Sequence, residues 1–207
     1  CNVPSVVRIA DVKISLTNRA RHKIRKEILK YFGSKRSLEK LLSLANLYLP
    51  VVDKIFKDNK FPLDLKYIML LESGCVGNAR SNSRDPAVGY WQFKSKTASW
   101  MGLKIDRNID ERMHIIASTN GFIRYINTCN KKWNNYALCI MAFYLGQQGC
   151  KDMVKKLHIK NCKNMTLDHN WHFYIYMFIA YKIVFSQFIT HPSTVRLVGD
   201  RHCNGLT

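Results

Sequence analysis

Apolar positions recur along this chain at three- and four-residue spacing, interrupted by short polar breaks, and the pattern predicts helix after helix. Thr17 and Asn18 suit the cap of a basic helix over 19–32, in which Ile24, Ile28 and Tyr31 share a face, with Gly33 at the C′ position. Ser37 opens LEKLLSLANLYL, which should end before Pro50, and Pro50 suits the first turn of VVDKIFKDN. Pro62 opens LDLKYIMLLES, whose apolar residues wrap almost all the way round, so this helix should be buried. Helical patterns resume at 97–101, 110–127, 133–145, 150–156 and 171–189. No convincing period-2 alternation predicts a strand.

The most apolar stretch, 173–189, contains Lys182 and Gln187, falls short of a membrane span, and reads as a buried core helix. Between Gly74 and Tyr90 the composition shifts to Gly, Asn, Ser, Arg, Asp and Pro. A long loop of that kind inside a compact domain is often functional. The expected organisation is an N-terminal tether over 1–17, one all-α domain over 18–189 (N-terminal helices to 60, the main core from 61), and a tail over 190–207.

Composition refines this picture. Apolar residues make up 47% of 207, enough for a real core, so disorder is excluded. Lys and Arg number 33 against 14 Asp and Glu, a net charge of +19, which points to an anionic partner. Nucleic acid, an acidic membrane surface and acidic cell-wall polymer all qualify, but no nucleic-acid-binding motif is present. Seven cysteines occur without a CxxC pair, so zinc-ribbon and dithiol redox spacings are absent. Cys1 fits either an arbitrary boundary or the acylated cysteine left by lipoprotein processing. If it is acylated, the remaining six cysteines leave their pairing open.

Glu72 follows the apolar run Tyr67–Leu71 and precedes Gly74. Desolvation and the negative end of the helix dipole would both raise its pKa, which suits a general acid; an exposed helix-end glutamate is the plainer reading. Downstream, Gly89-Tyr90-Trp91-Gln92-Phe93 offers a glycine for close backbone approach, flat aromatic faces for sugar rings and an amide for hydrogen bonds. Burial in a core is the commoner fate of such a tryptophan.

Taken in order, Glu-Ser, the Gly/Ser-rich loop, GYWQF and ALCIMAFYLGQQG resemble the lytic transglycosylases of the lysozyme-like superfamily. Within them the chain is most similar to the membrane-bound lytic murein transglycosylase D branch in the form common in Bacteroidetes. The resemblance implies a mostly helical lysozyme-like fold that cleaves peptidoglycan between N-acetylmuramic acid and N-acetylglucosamine. It makes Glu72 the catalytic acid and then base, followed by Ser73. Ser81 and Ser83 compete for a substrate-contacting serine, because this loop is about two residues longer than the family's. It places Gly89, Trp91, Gln92 and Phe93 in the substrate cleft, beside Tyr90, whose aromatic face makes it a further candidate for sugar contact. The family's Ala-Tyr-x-x-Gly motif falls on Ala142 to Gly146, with Phe143 in place of its tyrosine and Tyr144 one place later.

Retaining and inverting glycosidases use carboxyl pairs ~5–5.5 Å or ~6.5–9.5 Å apart. The loop after Glu72 offers only Asp85. A single carboxyl fits transglycosylation, in which the substrate's own 6-hydroxyl closes a 1,6-anhydro ring without metal or cofactor. A hydrolytic muramidase using Asp85, and a peptidoglycan binder with degraded catalysis, stay open. Peptidoglycan carries peptide carboxylates, a reasonable target for the basic charge. The implied setting is a monomer in the periplasm, held at the outer membrane through Cys1.

Overall fold

The computed structural model describes residues 2–190. Cys1 and residues 191–207 lie outside it, and with them the expected lipid attachment and all but the first residue of the expected tail.

The fold is mainly helical, as expected, with one small sheet added. Strands β1 (Val6–Ile9) and β2 (Val12–Leu16) form a hairpin. Strand β3 (Asn164–Leu167) pairs parallel to β2, Ile14 opposite Met165, so the first residues of the domain are tied to its far end. The described part of the tether expected over 1–17, residues 2–17, is therefore folded structure. Val7, Ile9, Val12, Ile14 and Leu16 are buried while Arg8, Lys13 and Ser15 face out. The alternation is present in the sequence, but strands of four and five residues with an exposed Val6 give it little contrast.

Helix α1 (Asn18–Phe32) starts as expected, the Thr17 hydroxyl accepting from the Ala20 N–H. It ends at Gly33, as the sequence suggested, with that glycine in a right-handed conformation (φ −72°). Helix α2 (Lys35–Asp58) is one continuous helix with Pro50 inside it, where the sequence suggested two. Its buried stripe of Leu38, Ala45, Leu49, Val52 and Phe56 runs through the proline without a phase break, and packing of that stripe outweighs the lost backbone hydrogen bond. A 3₁₀ turn (Leu63–Lys66) leads into the short α3 (Tyr67–Ser73), followed by α4 (Ser95–Trp100). A second 3₁₀ turn (Glu111–Met113) precedes α5 (Ile115–Trp133). Helix α6 (Tyr136–Lys156) is broken at Gly146 (φ 74°, ψ 167°), and α7 (Phe173–Thr190) closes the described chain.

Helix α7 packs against α1, α3 and α6, with Ile175, Phe178 and Ile179 fully buried, so it is the core helix the sequence suggested. No helix among the described residues is long and apolar enough to cross a membrane. Cys75, Cys129, Cys139 and Cys150 are buried and Cys162 is exposed; all five are free thiols.

Candidate active site

Helix α3 delivers Glu72. Its first turns are wholly buried through Tyr67, Ile68, Met69 and Leu70, which fixes the helix in the core and brings its last turn to the surface. Gly74 ends it in the left-handed region (φ 60°, ψ 30°), the C′ role read from the sequence, its N–H donating to the Leu70 carbonyl. Glu72 emerges half-buried into a cavity of about 480 Å³. Burial pushes its pKa up to about 7, against a hydrogen bond from Tyr174 that pulls it down.

The Tyr174 hydroxyl donates to Glu72 Oε1. Tyr174 is itself buried, and burial together with the neighbouring carboxylate holds its phenol well above the ordinary tyrosine range. It therefore acts as a donor and does not ionise. Sequence reasoning missed this residue. The available signal was that a tyrosine in the most apolar stretch of the chain carries a hydroxyl that must find a partner once buried.

A folded loop supplies one wall of the cavity. Arg80 and Phe93 each bridge to Val88, and the Ser81 N–H donates to the Ala87 carbonyl at 2.9 Å. Arg112 clamps this loop from beneath. Its side chain, 5% exposed, pairs with Asp110 at 2.7 Å and donates to the carbonyls of Pro86 (3.3 Å) and Phe93 (3.1 Å) and to the Ser95 hydroxyl (3.2 Å). Asp110 in turn is held below the usual carboxylate range by its hydrogen bonds from that guanidinium.

The motif residues divide between cavity and core. Ser81, Gln92, Phe93, Phe143, Tyr144 and Gly146 line the cavity with Glu72. Gln92 has a left-handed backbone (φ 51°), and its side-chain amide nitrogen donates to the Ala79 (3.0 Å) and Gly89 (2.9 Å) carbonyls. The amide oxygen has no hydrogen-bond partner among the described residues. Tyr144 is 44% exposed and stacks on Tyr174 with ring centroids 4.2 Å apart, while Phe143 turns into an aromatic cluster with Phe93, Phe122 and Tyr125. The exposed tyrosine that lines the cavity is thus Tyr144, and Gly146 breaks the helix just beyond it.

Other expected cleft residues serve packing. Trp91 is fully buried and lies flat on Phe122 at 3.8 Å, its indole N–H donating to Thr119. It offers no face to a sugar. Tyr90 is buried against Tyr48, and the Ser73 hydroxyl donates to the Tyr90 carbonyl at 2.8 Å, joining α3 to the loop instead of contacting a ligand. Gly89 has φ 86°, and a Cβ there would sit 1.8 Å from the Arg112 carbonyl oxygen, so the close approach is to this chain and not to a ligand. Ser83 donates to the Asp85 carbonyl and lies outside the cavity lining, which leaves Ser81 as the cleft serine. Asp85 is exposed and is likewise not part of the lining. Lys94 and Thr97, at the start of α4, join the lining unpredicted. Among the described residues Glu72 is the cavity's one carboxylate, and no cluster of His, Cys, Asp and Glu could hold a metal ion.

Residues 56–165 match the family described as the transglycosylase SLT domain. Two proteins named membrane-bound lytic murein transglycosylase D, from Escherichia coli strains K12 and O6:H1, are each 28% identical to the chain over 127 residues. That alignment covers 61% of this chain and 28% of theirs, so the chain spans little more than a quarter of the relatives it matches.

Proposed function

The chain belongs to the transglycosylase SLT domain family, and from that premise we propose that it cleaves the β-1,4 bond between N-acetylmuramic acid and N-acetylglucosamine without consuming water. The observation that carries this reading is a single half-buried carboxyl group, raised to about 7, in a cavity whose described lining holds no second carboxylate. A group with that pKa is populated in both forms near neutrality, as an acid that later becomes a base requires.

Tyr174 occupies Oε1, so the catalytic proton resides on Oε2. Glu72 protonates the glycosidic oxygen as the bond to C1 breaks. The substrate's N-acetyl group supports the positive charge at C1. The ionised Glu72, steadied by the Tyr174 hydroxyl, then accepts the proton of the 6-hydroxyl, whose oxygen closes the 1,6-anhydro ring on C1. Ser81, the Gln92 amide oxygen and Tyr144 are the groups proposed to orient the sugars. A two-carboxylate hydrolysis would need a second carboxyl at the cavity, and the exposed position of Asp85 gives no support to that role.

The proposed setting is the cell envelope, where the polymer lies, with the protein acting as a monomer. Attachment through Cys1 would hold it at the outer membrane, and that residue lies outside the described ones. Wild-type protein is expected to solubilise peptidoglycan sacculi, with Glu72→Gln at least ~100-fold slower, the usual worth of a general acid. Equal rates would remove Glu72 from the chemistry.

A further inference from the structure

Phe173 and Tyr174 are consecutive in the first turn of α7, yet they serve different depressions. Tyr174 reaches Glu72. Phe173, 47% exposed, lines a groove of about 600 Å³ between α7 and α1. Tyr144 joins the two: its ring lies 4.2 Å from Tyr174 and 5.6 Å from Phe173, and it lines the catalytic cavity. The groove therefore begins one aromatic ring away from that cavity.

The aromatic side of the groove is Phe173 and Tyr176; the opposite side is the basic stripe Arg19, His22, Lys23 and Lys26 of α1. Lys23 is engaged, donating to the His169 carbonyl at 2.7 Å and lying 5.3 Å over the Tyr176 ring, so it braces the two walls. The side chains of Arg19, His22 and Lys26 are exposed and make no ion pair or hydrogen bond among the described residues. Glu27 is the groove's one carboxylate. Two uncommitted cations, Arg19 and Lys26, sharing a groove with Phe173 and Tyr176 are complementary to a short chain that carries carboxylates between apolar segments. Both α1 and α7 lie outside residues 56–165, so this groove is no part of the matched family region.

We propose that the groove binds the acidic peptide branch borne by the muramyl sugar of the strand being cleaved, and so selects peptide-bearing over bare glycan. This rests on reading the cavity as a peptidoglycan-cleaving site. The muramyl sugar sits at the scissile bond, so its branch leaves the cavity beside the reacting centre, which is where Tyr144 opens onto Phe173.

The test compares the wild type with an Arg19→Glu/Lys26→Glu double variant. Both side chains are on the solvent face of α1, and a thermal melt checks that the fold is kept. On sacculi with intact peptides the apparent KM should rise about tenfold with kcat unchanged, while cleavage of glycan strands stripped of peptide by an amidase stays the same. The peptides released by the amidase should bind the wild type in calorimetric titration, and the variant about tenfold more weakly. Equal losses on both substrates, or no peptide binding by the wild type, would overturn the proposal. So would loss of binding to anionic phospholipid vesicles with peptide binding intact, which would assign the groove to a membrane surface. Because the titration needs no turnover, it decides the groove even if the wild type cleaves neither substrate and the reading of the cavity fails.

Discussion

Burial and the Tyr174 hydroxyl pull the ionisation of Glu72 in opposite directions, and burial wins, leaving the carboxyl at about 7. In the proposed reaction Glu72 enters protonated, so activity should fall as pH rises through that value. In Tyr174→Phe the donor that favours the carboxylate is gone and burial acts unopposed. The alkaline fall should then move to higher pH, and kcat near neutrality should drop on the order of tenfold because the carboxylate formed in the first step loses its partner. A pH–rate profile with an unmoved alkaline limb would reduce Tyr174 to a packing residue. Glu72 was legible because local sequence defines its setting: an apolar run before it and a helix-ending glycine after it. Tyr174 lies 102 residues further on, and only the fold brings the two together. Trp91 shows the opposite difficulty. A tryptophan in an aromatic-rich segment reads as a sugar platform, but Phe122 covers its face, and nothing local announces which aromatic will be covered.

At the level of elements, helices were legible and their interruptions less so. Pro50 and Gly146 are both helix breakers by intrinsic preference. Pro50 lies within a helix whose buried stripe continues through it, whereas Gly146, with nothing within 4 Å of where its Cβ would stand, opens α6 beside the cavity. The hairpin of β1 and β2 was missed, and its contribution is large. Val7, Ile9, Val12, Ile14 and Leu16 are buried, each worth roughly 1.5–3 kcal/mol. Their sum is comparable to the ~5–15 kcal/mol net stability of a typical domain. Deleting residues 2–16 should therefore leave the chain unfolded, or lower its melting temperature by more than ~10 °C, as circular dichroism would register. An unchanged melt would mean that the segment is the tether its sequence suggested.

For the whole molecule, the cavity around Glu72 is assembled from α3, the clamped loop, α4, α5 and the broken α6, with α7 supplying the hydrogen-bond donor to Glu72. The charge of +19 has a defined place in this arrangement, since part of it forms the α1 stripe facing Phe173 beside the cavity. What the molecule does with one carboxyl group is read from the ends it leaves on the glycan. Sacculi digested in water labelled with heavy oxygen, with the muropeptides identified by mass spectrometry, give that answer in one experiment. Cleavage through Glu72 alone predicts 1,6-anhydromuramic ends without label, absent from the Glu72→Gln digest. Reducing muramic ends carrying the heavy oxygen would contradict it, since water and not the 6-hydroxyl would then have attacked C1.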